Sequence, residues 1–126
     1  MITGYHSLIY SSDPEATRSF LGDVLGWKHI DAGGGWLIFK TPPSEVGVHP
    51  TSDIDEGNDA ELPQHQLTLM CDDLQATIAE LAAKGIEVEG EPQDQGFGIT
   101  VTISVPGAGW MMLYQPRHAL AYELPD

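Results

Sequence analysis

Basic residues are scarce. The 126-residue chain has 5 lysines and arginines against 19 aspartates and glutamates, a net charge of −14. Gripping a phosphate backbone needs a basic face, so nucleic acid is excluded as a partner. Docking on an anionic membrane surface is disfavoured for the same reason. Cysteine occurs once, at Cys71, which excludes an internal disulfide and any cysteine-cluster metal site. No apolar run approaches the about 18 residues of a membrane span. The opening Met1-Ile2-Thr3-Gly4-Tyr5 lacks the basic and apolar segments of a secretory leader. These absences lead us to expect a cytoplasmic protein. What remains is 41% hydrophobic, enough for a packed core in one domain.

The chain reads as two similar halves. Ser7-Leu8-Ile9-Tyr10 runs into Ser12-Asp13 and then Glu15-Ala16-Thr17. Leu67-Thr68-Leu69-Met70 runs into Asp72-Asp73 and then Gln75-Ala76-Thr77. A predicted helix follows each and stops at a glycine, Gly26 or Gly85. Related endings close the halves, Val46-Gly47-Val48-His49-Pro50 and Met112-Leu113-Tyr114-Gln115-Pro116.

Asp13 before Pro14 reads as an N-cap followed by proline at the first helical position. Ala16, Phe20, Leu21, Val24 and Leu25 supply that helix with an apolar face. The second helix starts at Asp72 or Asp73, with Leu74, Ile78 and Leu81 as its buried stripe. Strands are predicted over residues 2–10, 28–32, 35–40 and 45–50 in the first half. In the second they fall at 67–70, 86–92, 98–105 and 109–115. Thr100, Thr102 and Ser104 alternate with Val101, Ile103 and Val105, the period of a half-buried strand. Residues 51–63, rich in Asp and Glu, read as an acidic linker or a cation-attracting lid. Residues 117–126 read as an irregular tail, in which Tyr122 and Leu124 could pack on the sheet or a partner.

This order of elements resembles the vicinal oxygen chelate superfamily, which includes glyoxalase I, bleomycin-resistance proteins and extradiol dioxygenases. The likeness rests on the strand-into-Asp-helix signature in both halves, on Phe20-Leu21 through Leu25-Gly26-Trp27, on Leu81 through Gly85, and on Leu113-Tyr114-Gln115-Pro116. It implies an α+β fold of two βαβββ modules, about 1–50 and 64–116, forming curved mixed sheets around a cleft. It also implies a homodimer. Family members commonly hold a divalent metal such as Zn, Ni, Mn or Fe. The first-strand ligand stands seven residues before the helix-starting Asp, which gives His6 and Gln66. The family's closing-strand Glu is replaced here by Met112, and by Val46 in the first half. A thioether and an isopropyl group are poor ligands for such cations. No cofactor is therefore expected, with a divalent metal on His6 and Gln66 as the alternative.

Other candidate residues divide between a site and ordinary packing. His6 can be a general base, since an imidazole titrates near neutrality. His49 and Gln66 can bind substrate or fix strand ends. Trp110, Met112 and Tyr114 can line an apolar pocket, as can Trp36, Phe39 and Met111. Neighbouring residues on a strand face opposite ways, so Met111 and Met112 cannot share one cleft. Glu45 should point away from Val46 for the same reason. Arg117-His118 could grip an anion, and Asp72 and Asp73 should raise the pKa of Cys71. Three functional readings result. The first is a metal-free binder of a small organic molecule, with the negative charge favouring a cationic ligand through steering. The second is a glyoxalase-like lyase, isomerase or dioxygenase, and the third is an interaction module.

Overall fold

The computed structural model describes residues 6–50 and 65–125, so the acidic segment 51–63 lies outside the described residues. The chain folds as an α+β structure with two sheets. Helix α1 (Pro14–Ser19) begins as its sequence dictates. The Asp13 carboxylate accepts the Ala16 N–H, and Pro14 stands at the first position. A π-helical turn, Phe20–Val24, prolongs it, with the Leu25 N–H bonded to the Phe20 carbonyl. Gly26 ends it in the left-handed conformation at φ 74°. A hairpin follows, β1 (His29–Asp31) with β2 (Leu37–Phe39), antiparallel. The Asp31 carboxylate tightens its turn by accepting from the Gly33 and Gly35 N–H groups.

The second half holds β3 (Thr68–Met70), α2 (Leu74–Ala83), β4 (Val88–Asp94), β5 (Gly98–Val105) and β6 (Gly109–Pro116). Its sheet runs β3-β6-β5-β4, with β3 parallel to β6 and the other pairs antiparallel. This is a βαβββ unit. Asp73, not Asp72, caps α2. Gly85 follows the helix at φ 82°. Predicted strand 98–105 matches β5, and the other second-half strands shift by a residue or two.

Two predicted strand segments of the first half carry no strand among the described residues. Residues 6–10 and 45–50 are irregular. Leu8 and Tyr10 are 61% and 86% exposed, and Val46 and Val48 are 73% and 92% exposed. Their β-branched and aromatic character favours a strand only where a neighbour pairs and packs against it. The tail carries one turn of 3-10 helix, Ala121–Glu123. Its Leu124 stays exposed and does not pack on the sheet, whereas Tyr122 lines a cavity beside it.

The core joins the halves. Phe20 of the first packs among Leu74, Leu81, Val101, Ile103 and Val105 of the second. Around it the Ser12 N–H and hydroxyl both bond the Gly107 carbonyl, and the Thr17 hydroxyl bonds the Pro106 carbonyl. Lys84 Nζ caps the end of the π-helical turn at the Val24 carbonyl, 2.9 Å away.

Gly107 sits at φ 80°, where a Cβ would fall 2.5 Å from Ser11 Oγ and 2.6 Å from the Asp13 carbonyl oxygen. Gly107→Ala should therefore cost at least about 1 kcal/mol for the left-handed backbone, with the close contacts adding to it. A urea titration should show a lower midpoint at unchanged slope.

Candidate functional site

The β5–β6 register sorts the side chains. Val101 pairs with Leu113 and Ile103 with Met111, on the face covered by the helices. Thr100 pairs with Tyr114, Thr102 with Met112, and Ser104 with Trp110, on the opposite face. From β3, Thr68 stands beside Met112, and Met70 beside Tyr114. The candidate residues Trp110, Met112 and Tyr114 therefore share one face of the sheet, open along Trp110, which is 52% exposed. Met111 turns to the core, as alternation predicts.

This face ends in a cavity of about 310 Å³ lined by Met70, Cys71, Gln115, His118, Leu120 and Tyr122, among others. Tyr114 is nine-tenths buried beside it. Its ring meets Phe97 edge-on at 5.5 Å, and its hydroxyl lies 3.1 Å from His118 Nε2. His118 Nδ1 stands 2.8 Å from the Ala119 carbonyl and donates to it, so in the neutral ring Nε2 accepts the tyrosyl proton. Glu45 closes the group. Its carboxylate accepts the Ala121 N–H at 2.8 Å and stands 3.7 Å from His118 Nε2. Burial pushes the Tyr114 phenol above its ordinary pKa, with Glu45 and Tyr122 adding to the shift. Burial likewise raises the Cys71 thiol, with smaller contributions from Asp72 and Asp73. The thiol points to the Tyr114 carbonyl and is poorly suited to act as a nucleophile.

The remaining candidates are dispersed. Gln66 is exposed, two residues before β3. His6 and His49 are exposed on segments that carry no strand, so no ladder aims them at the open face. Arg117 is committed to Asp94, with both carboxylate oxygens at 2.6 Å, and so does not present its charge to an external anion. That guanidinium holds the Asp94 carboxyl below the usual range.

Among the described residues, no three His, Cys, Asp or Glu side chains come together as a metal site. Met112 faces the site where the family's carboxylate would stand, and Val46 is 73% exposed on the unpaired segment. Among the described residues the donor set does not fit a divalent metal.

Sequence reasoning missed the grouping of Glu45, Tyr114, His118 and Tyr122. Strand alternation does not govern Glu45, because the segment that carries it is not a strand. Only the tail's return to β6 brings these residues together, and no spacing in the sequence encodes it.

A spectrophotometric titration should find one tyrosine that ionises above the ordinary value near 10. Its contribution should vanish in Tyr114→Phe. A raised folded pKa means stability that is intact below the unfolded value and lost as pH rises through the folded one.

The family model for the Glyoxalase/Bleomycin resistance protein/Dioxygenase superfamily matches residues 5–114. Three solved structures share the fold. TnmS3, an antibiotic binding protein from Streptomyces sp. CB03234, is 24% identical with a TM-score of 0.60, over 92% of this chain and 98% of its own. A superfamily member from Sphaerobacter thermophilus is 19% identical with a TM-score of 0.60, over 90% and 98%. A lactoylglutathione lyase from Agrobacterium tumefaciens is 18% identical with a TM-score of 0.59, over 90% and 92%. None of the curated proteins compared matches the chain. No helix among the described residues is long and apolar enough to cross a membrane. With a family model covering all but the two ends, and the βαβββ order in its second half, the chain belongs to the Glyoxalase/Bleomycin resistance protein/Dioxygenase superfamily.

Proposed function

We propose that this protein binds a small organic molecule on the open face of its four-stranded sheet, without the metal centre used by enzymes of the superfamily. One observation carries the reading. Met112 occupies the middle of that face, flanked by Thr68 and Thr102, where a metal-binding relative would place a carboxylate. A thioether adapts to flat apolar ligands, and an exposed indole beside it adds stacking area. The hydroxyls of Thr68 and Thr102 and the polar groups around Tyr114 supply orientation at the rim. The antibiotic binding protein of the same fold supports a binding role. Gln66, two residues before β3, belongs to this reading as a polar contact at the edge of the face, whereas His49 stands on a segment without a strand. Homodimerisation and a cytoplasmic location belong to it as well, and sedimentation decides whether one chain or two form the particle.

Trp110 reports on the site directly. Titration with a panel of flat aromatic antibiotics should quench tryptophan fluorescence, and Trp110→Phe should remove most of the response. Met112→Ala should weaken binding about tenfold, the factor that 1.4 kcal/mol of lost contact produces. Quenching that is indifferent to both substitutions would remove the open face as the site.

Elemental mass spectrometry of untagged protein, before and after dialysis against zinc, nickel, manganese or ferrous iron, should find no stoichiometric metal. A bound metal that disappears in His6→Ala and Gln66→Ala would replace this reading with the metal-dependent lyase or dioxygenase. Turnover retained in His6→Ala would dismiss His6 as a catalytic base.

A further inference from the structure

The five cations are not used alike. Arg18 lies over the Trp36 ring at 5.2 Å, Lys84 caps the Val24 carbonyl, and Arg117 pairs with Asp94. Lys28 and Lys40 remain. They stand opposite one another at the open end of the β1–β2 hairpin, where the Lys40 N–H donates to the Lys28 carbonyl at 2.8 Å. Among the described residues neither has an acidic side chain within ion-pair distance. Like charges placed directly across a strand pair destabilise it. The carboxylates among the described residues leave this pair unneutralised.

The register explains what lies beneath. Ile30 pairs with Ile38, so Lys28, Ile30, Ile38 and Lys40 fall on one face. His29 and Phe39 fall on the other and meet edge-on at 5.4 Å, with Phe39 turned toward Gly22 of the π-helical turn. The hairpin thus offers an apolar floor of two exposed isoleucines with two ammonium groups at one end. A shallow, open depression of about 360 Å³ runs along the hairpin, lined by these four residues together with His29 and Phe39.

We propose that this hairpin face binds an amphipathic organic anion, an aromatic or aliphatic body on Ile30 and Ile38 with its carboxylate or sulfonate between Lys28 and Lys40. Its residues lie on β1 and β2 and are not those of the open face of the four-stranded sheet. The protein's overall negative charge opposes the approach of an anion. At physiological salt that field is screened beyond about 8 Å, and the two ammonium groups act within this distance.

Two dyes of matched shape test the proposal. Anilinonaphthalene sulfonate carries the anion, and N-phenyl-1-naphthylamine lacks it. The double substitution Lys28→Gln/Lys40→Gln should weaken the sulfonate dye about tenfold and leave the neutral dye within about twofold. Lys28→Arg/Lys40→Arg should restore the sulfonate affinity, and Ile30→Ser should weaken both dyes. Met112→Ala should leave this lysine-dependent affinity unchanged, so the two sites fail or stand separately. Equal affinity for the sulfonate dye with and without the lysines would overturn the proposal. So would parallel loss of both dyes in the glutamine variant.

Discussion

The insertion of Phe20 into the second half's core is the contact on which the rest depends. A single aromatic side chain from the first half is 2% exposed among residues contributed by α2, β5 and β6. Burying such a ring is worth about 1.5–3 kcal/mol against leaving it in water. It also fixes the direction of α1. The serine and threonine bonds to Pro106 and Gly107 then close the seam around it. Without that anchor, the first half's hairpin would have little buried surface of its own.

The two halves are unequal partners in consequence. The second has a complete four-stranded sheet with a helix across one face. The first has a helix and a two-stranded hairpin among its described residues. Among the described residues, its Tyr10 and Val48 side chains stay exposed. The open sheet face, the tail cavity and the lysine-topped hairpin are therefore different environments. The first is apolar with hydroxyls, the second is a hydrogen-bonded group around Tyr114, and the third is cationic.

Much of this was legible in the residues. Asp13-Pro14 and Asp73 announce the helix starts, because a carboxylate before the first turn satisfies an otherwise open N–H. The alternation of Thr100 through Val105 announces β5 and its two faces. The Val46–Val48 segment misled, because β-propensity describes what a residue does beside a partner strand, and among the described residues these have none. The site was half readable. Trp110, Met112 and Tyr114 follow from period-two spacing, while the approach of Glu45 and His118 to Tyr114 arises from tail packing. The π-helical turn was invisible as well, since one extra residue in a helix leaves no periodic trace.

Alternation in β5 and β6 has a further consequence for how this protein can change. Core side chains and open-face side chains occupy interleaved positions of the same two strands. Ile103 and Leu113 hold the fold, while their neighbours Thr102 and Met112 face outward. Substitutions at the outward positions leave the packed layer untouched. The chemistry of the open face can drift over generations while the scaffold stays constant.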